Sequence, residues 1–284
     1  MEMRGIHINW TKPLTVRKKA VNVEDFELMT TVLSALQFRK LYGRIELYTD
    51  QNGYRFYESI GFLPLWDAVH PLEVPDTVDA NAFWAAGKLY ALRQAKAPVC
   101  MIDTDFILWK KITPTAPFMA AHTEAVGNTV YPSDLKTYDT AYEPFYAMPA
   151  DAPAYNTACL FFTDEGFKNT YLDAACAFME QTDAHGDTLV PMVCAEQRIL
   201  GMTAKLHGIT PQCILPNGPE RKQEICSHTW GFKQKMREDA AKRAAFCLRL
   251  AMRIAKESPE WAIRCADVEN LQQYFHPLRQ PIDV

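Results

Sequence analysis

The sequence predicts an α/β fold in which a mixed, mostly parallel sheet is flanked by helices. Three observations predict it. Through the first third of the chain, short β-rich segments alternate with stretches of helical periodicity, the pattern of strand–helix–strand units. The run Ala97-Pro98-Val99-Cys100-Met101-Ile102 is apolar throughout, as an interior strand requires. That run ends in Asp103-Thr104-Asp105, at the strand end where open α/β sheets present a ligand crevice.

The elements follow in order. Residues 6–10 alternate and read as the first strand, and residues 11–22 are polar and irregular. Over residues 23–41, Phe26, Met29, Val32, Leu33, Leu36 and Leu41 recur at helical spacing. Gly43 follows, where a helix stop is favoured. Residues 44–50 alternate and end polar, a second strand, and residues 54–60 form a short helix closed by Gly61. Residues 81–94, with Phe83, Trp84, Leu89 and Leu92, predict a helix leading into the Asp103 strand. Residues 106–112 read as a further strand. Residues 113–153 are rich in Pro, Ala, Tyr and Thr with little periodicity, a length that suits a lid or binding wall. A strand over 155–162, a helix over 167–180, a helix carrying 196–202 and a short strand near Ile214 come next. Residues 238–256 predict a clear helix rich in Ala, Arg and Lys, and residues 275–284, with two prolines, read as a tail. The expected organisation is one domain over residues 1–235, with a C-terminal helix and tail over 236–284 packed on it.

Composition narrows the function. The 284 residues carry a net charge of −4, with 48% hydrophobic and 23% charged residues. That balance is globular and leaves no basic footprint for nucleic acid. The amino-terminal residues lack the apolar core of a signal peptide, and no apolar run approaches the roughly 20 residues that span a bilayer. Eight cysteines are scattered without a C-x-x-C pair, which speaks against a zinc site or disulfide framework and fits a reducing cytoplasm.

Asp103 and Asp105 carry the chemistry. Buried carboxylates are costly unless paired or bound to a metal. Strict strand alternation puts both on one face, where two hard oxygen donors suit Mn²⁺ or Mg²⁺ touching a diphosphate. A solvated loop start that reads D-x-D by chance is the alternative.

Six segments, in order, carry a resemblance: 45–50 (Ile-Glu-Leu-Tyr-Thr-Asp), 83–88 (Phe-Trp-Ala-Ala-Gly-Lys), 102–106 (Ile-Asp-Thr-Asp-Phe), 155–158 (Tyr-Asn-Thr-Ala), Glu196-Gln197, and 228–233 (His-Thr-Trp-Gly-Phe-Lys). Together they resemble the GT-A (Rossmann-like) glycosyltransferases, enzymes using nucleotide-sugar donors, and the resemblance spans most of the chain. It implies that Asp103 and Asp105 are the D-x-D motif, holding Mn²⁺ or Mg²⁺ on the donor diphosphate, with Thr104 against the donor ribose. Retaining families such as the glycogenins carry a late H-x-x-G-x-x-K segment. Here His228, Gly231 and Lys233 make it one residue shorter. The resemblance implies His228 as a further metal ligand and Lys233 on the diphosphate. Imidazole and ammonium suit those roles, while a surface His beside a structural Trp is the alternative.

The same resemblance implies that Lys88 contacts the donor phosphate or sugar, that Thr49 and Asp50 meet the nucleoside, that Asn156 lies near the sugar, and that Glu196 and Gln197 are catalytic residues facing it. Each has a plainer reading: a solvated Lys88, a turn-forming Asp50, and a helix-start carboxylate at Glu196. Trp84 shares the Lys88 face and reads as packing. His122 and Glu124 fall on one side by alternation, and either meet acceptor hydroxyls or rim the loop. H-x-E is not followed by P-C-x-x-C, so the zinc-deaminase pattern is absent.

The expected function is therefore metal-dependent transfer of a sugar from a nucleoside-diphosphate donor to a hydroxyl acceptor, a saccharide or lipid-linked saccharide. Three other readings compete: a non-catalytic nucleotide-sugar-binding protein, a D-x-D phosphatase of the haloacid-dehalogenase type, and a sugar nucleotidyltransferase. The phosphatase motif normally lies near the amino terminus, and no early Gly-rich loop marks a nucleotidyltransferase. Lys242, Arg249, Arg253 and Lys256 form a basic stripe on the late helix opposite Phe246, Leu250 and Ile254. That stripe either rests weakly on an anionic membrane surface or is simply solvated.

Overall fold

The computed structural model of the chain describes residues 2–19, 21, 23–218 and 224–279. The chain opens with β1 (Arg4–Asn9) and a short α1 (Lys12–Val16). In α2 (Asp25–Tyr42), Glu24 and Glu27 close a capping box at the start, and Gly43 (φ 94°) ends the helix in the left-handed region. β2 (Ile45–Thr49) runs into Asp50, which caps α3 (Gln51–Ser59) through Gly53 N. β3 (Val69–Pro71) and α4 (Ala86–Gln94) follow. α4 begins later than residue 81. Asp79 Oδ1 accepts from Asn81 N at 2.8 Å, and this local bond holds the expected first turn out of the helix.

Beyond β4 (Val99–Ile102), β5 (Phe106–Leu108) is shorter than the predicted 106–112. The aperiodic stretch 113–153 contains β6 (Phe118–Ala120), β7 (His122–Glu124) and β8 (Asp139–Thr140). The predicted strand 155–162 divides into β9 (Ala154–Asn156) and β10 (Cys159–Phe162). Asn156 Oδ1 takes Ala158 N at 3.1 Å and breaks the extended run. α5 (Glu165–Glu180), β11 (Thr182–Asp183) and α6 (Val190–Val193) lead through a π-helical stretch, Cys194–Arg198, into α7 (Ile199–Leu206). β12 (Gln212–Cys213), β13 (Cys226–His228), α8 (Lys233–Glu238), α9 (Ala240–Glu257), α10 (Pro259–Ala266) and α11 (Gln272–Arg279) complete the described chain. The expected tail over 275–284 is thus helical as far as Arg279, and residues 280–284 lie outside the described residues.

The central sheet has the order β12-β6-β10-β4-β1-β2-β3. β1 pairs in parallel with β2 and β4, β2 with β3, and β12 with β6. β10 is antiparallel to β4 and to β6. This is the mixed, mostly parallel sheet that the sequence predicts. Two reversals bring β6 back into the direction of β4, so the carboxyl ends of β6, β4, β1 and β2 share one edge.

Both faces of the sheet are covered, which is why β4 is apolar at every position. Val99 and Met101 enter one core, with Leu89 of α4, Leu172 of α5 and Leu200 of α7. Cys100 and Ile102 enter the other, with Phe26 and Leu33 of α2, Ile254 of α9 and Trp261 of α10. Each such side chain contributes about 2 kcal/mol by leaving water. All eight cysteines are free thiols, seven of them buried. On α9, Lys242 pairs with Asp239 and Arg253 with Glu257, each at 2.8 Å, and Arg249 lies over the Phe246 ring. Among the described residues, no helix is long and apolar enough to cross a membrane.

Candidate active site

β4 stops at Ile102, and the two carboxylates do not lie on it. Asp103 N donates to Ala158 O at 2.8 Å, and Phe106 N donates to Asp103 O at 2.9 Å. A tight turn therefore carries Asp103, Thr104 and Asp105. The carboxylates converge because the chain bends, not by the strand alternation that was expected. The far side of the turn is anchored by a relay. Trp66 Nε1 donates to His7 Nδ1 at 3.2 Å, His7 Nε2 meets Ser34 Oγ at 3.0 Å, and Ser34 Oγ donates to Phe106 O at 2.6 Å. His7 is wholly buried, and burial pushes its pKa down to about 3, so the ring is neutral.

β5 pairs antiparallel with β13, placing His228 opposite Phe106. Thr229 N donates to Asp105 O at 3.1 Å. His228 Nε2 then lies 3.6 Å from Asp105 Oδ1. Asp103, Asp105 and His228 each offer one ligand atom, all within 4.8 Å of one another. Two carboxylate oxygens and an imidazole nitrogen fit a divalent cation that takes mixed oxygen and nitrogen donors, as Mn²⁺ does; Mg²⁺ would use the oxygens.

Two lysines flank this set. Lys88 of α4 reaches Asp103 Oδ1 at 2.6 Å and Glu196 Oε1 at 3.0 Å. Lys233, the first residue of α8, reaches Asp105 Oδ2 at 3.1 Å and Glu27 Oε1 at 3.4 Å. Burial opposes the charge on both ammoniums, but Asp103 and Glu196 hold the Lys88 pKa above its usual value, and Asp105 with Glu27 does the same for Lys233. The two aspartates diverge. Burial, reinforced by Asp105 and Glu196, raises Asp103 despite Lys88. Burial also works against Asp105, yet His228 and Lys233 outweigh it and hold its carboxyl well below the usual range. Neighbouring carboxylates pushed apart in this way are a mark of functional sites.

The π-helical stretch turns Glu196 inward, where it is buried and accepts from Thr157 Oγ1 at 2.7 Å as well as from Lys88. Gln197 Oε1 accepts from Tyr131 OH at 2.7 Å. Asp103, Thr104, Asp105, Lys88, Glu196, His228 and Lys233 are thus gathered in one place. Thr49 and Asp50 lie at the same sheet edge but in a separate network. Thr49 Oγ1 donates to Asn9 O at 2.8 Å, and Asp50 accepts from Thr11 N, Thr11 Oγ1, Lys12 N and Gly53 N. Asn156 is engaged in its own turn. Sequence reasoning missed Glu27, Thr157, Tyr131 and the His7 relay. Glu27 reads only as part of a helix start, and its partner Lys233 lies about 200 residues away.

A family profile matches residues 3–268. The chain belongs to DUF6734, a family of unknown function. No functionally curated protein matches this DUF6734 member. Among solved structures it is similar to the "PaToxG Glycosyltransferase", with 12% identity and a TM-score of 0.44, over 98% of this chain and 87% of that one. It is also similar to the inositol-1-phosphate CTP transferase from T. maritima, with 7% identity and a TM-score of 0.38, over 74% of this chain and 84% of that one. At such scores neither likeness bears on function.

Proposed function

We propose that this DUF6734 member is a metal-dependent glycosyltransferase that moves a sugar from a nucleoside-diphosphate donor to an acceptor hydroxyl. One observation carries the reading. Asp103, Asp105 and His228 converge at the carboxyl edge of a mostly parallel sheet between two partly buried lysines. Those three residues would hold a divalent cation, whose charge stabilises a diphosphate leaving group. Lys233 adds positive charge on the side of Asp105, where a phosphate oxygen can replace the carboxylate as its partner. Lys88, fixed between Asp103 and Glu196, keeps a second, partly buried ammonium beside the cation site, where a positioned charge can stabilise a diphosphate. Thr104 remains the proposed ribose contact. Thr49, Asp50 and Asn156 enter as supports of the nucleoside and sugar side, since their side chains already hydrogen-bond within the protein.

A panel of nucleoside-diphosphate sugars tests the proposal by thermal shift, with and without Mn²⁺. One donor is expected to raise Tm only with Mn²⁺, by the equivalent of about 2.7 kcal/mol at a hundred times Kd. Asp105→Asn removes that dependence. The same donor releases nucleoside diphosphate slowly in water, and Asp103→Ala abolishes the release. Binding without any release across the panel makes the chain a nucleotide-sugar-binding protein. A phosphoryl group trapped on Asp103 makes it a phosphatase.

A further inference from the structure

Resting on that reading, the acceptor hydroxyl still needs a proton acceptor. Glu196 is poorly placed for this, because it is buried and its Oε1 holds both Lys88 and Thr157 Oγ1. The structure offers another carboxylate on the same wall. β6 runs parallel to β4, so β7 emerges at the edge that carries Asp103. There His122 and Glu124 face the same way, and His122 Nε2 lies 2.9 Å from Glu124 Oε1. His122 is 6% exposed and its Nδ1 is buried without a partner. The proton therefore sits on Nε2, and the ring donates to Glu124. His122 holds one oxygen of Glu124, and the Glu124 side chain is 34% exposed, so a ligand can reach it.

Glu124 connects to the cation end through a continuous wall. β7 pairs with β9, His122 opposite Asn156. Thr157 follows and holds Glu196, which holds Lys88 and, through it, Asp103. Tyr131 lies between the two glutamates. Its hydroxyl donates to Gln197, and after burial the fields of Glu124 and Glu196 both raise its pKa. This chain of contacts joins Glu124 at one end to Asp103, beside Asp105 and His228, at the other.

We infer that Glu124, oriented by His122, is the general base of the transfer. As the acceptor oxygen bonds to the anomeric carbon, its proton passes to the Glu124 carboxylate. The bond from the anomeric carbon to the diphosphate oxygen breaks, and its electron pair leaves with the diphosphate. Such a single displacement inverts the anomeric centre, unlike the retaining chemistry that the glycogenin-like segment implies.

Donor hydrolysis, with water as acceptor, provides the test on the full chain. Glu124→Gln is expected to bind Mn²⁺ and nucleoside diphosphate as the wild type does, by thermal shift, and to hydrolyse the donor about a hundredfold more slowly or worse. Azide attacks without losing a proton, so it should restore turnover to Glu124→Gln by forming glycosyl azide. His122→Ala should behave likewise, with partial rescue of hydrolysis in His122→Gln, which retains a donor. That pattern separates positioning from mere structural support. Hydrolysis by Glu124→Gln within threefold of wild type, no response to azide, or a retained anomer in the wild-type product would each overturn the inference. A wild-type chain that hydrolyses no donor would instead remove the transferase reading itself.

Discussion

Asp103 and Asp105 are two residues apart yet sit in opposite electrostatic situations. Burial, with Asp105 and Glu196, raises Asp103 although Lys88 lies against it, whereas His228 and Lys233 hold Asp105 low. The turn that sets this contrast hangs from His7, and His7 is itself a titratable group. Its folded pKa, about 3, lies below the ordinary value near 6.5. Between those values the unfolded chain binds a proton that the native chain does not, so stability rises with pH across the window. The contribution of neutral His7 is complete above pH 6.5 and is lost as the pH falls towards 3. Its slope is about 1.4 kcal/mol per pH unit. Denaturant unfolding of wild type and His7→Gln at several pH values from 3 to 7 isolates this from the carboxylates. The variant should show the shallower acid slope, and coincident slopes would mean that His7 is protonated in the native state.

At the level of elements, the site depends on how closely β9 lies on α7. Gly201 makes that approach possible, since a Cβ there would collide with the carbonyl oxygen of Pro153 just before β9. The obstacle is backbone, so no side chain can rotate away. Gly201→Ala should therefore push β9 from α7 and cost about 1–3 kcal/mol, as overpacking does, even though alanine is the better helix former. The same shift draws Thr157 from Glu196 and loosens Lys88. Tm should fall, and Mn²⁺-dependent nucleotide binding should weaken with it. A variant that is as stable as wild type would show that β9 and α7 have room to spare.

Across the whole molecule, residues on both sides of position 235 share one apolar cluster. Phe26, Phe38 and Phe62 share one cluster with Cys247, Leu250, Ile254, Trp261 and Phe275. Buried Asp25 accepts from Arg243 Nε at 2.7 Å and from Tyr274 OH at 2.8 Å. Removing α9, α10 and α11 would expose that cluster and strip the buried Asp25 carboxylate of Arg243 and Tyr274, which destabilises it. Calorimetry of the full chain should show one transition with equal calorimetric and van't Hoff enthalpies. A chain ended at residue 235 should fail to give a cooperative transition. Two resolved transitions in the full chain would favour a separable carboxyl-terminal unit.

The sequence by itself determined the α/β class, the helices over α2, α5 and α9, the interior strand β4 and the pair Asp103 and Asp105, because periodicity and an apolar run ending in carboxylates are local signals. His228 and Lys233 were singled out only through the resemblance, from which their segment departs by one residue. Tertiary structure alone decided what surrounds them. β6 hides in an aperiodic stretch because three residues carry no period, and it takes its place in the sheet only by pairing with β10 and β12. Glu27 against Lys233, Thr157 against Glu196 and His7 against Ser34 and Trp66 join residues far apart in the chain. Whether Glu196 acts as a free carboxylate or as the partner of Lys88 depends on burial and distance, which no single segment encodes.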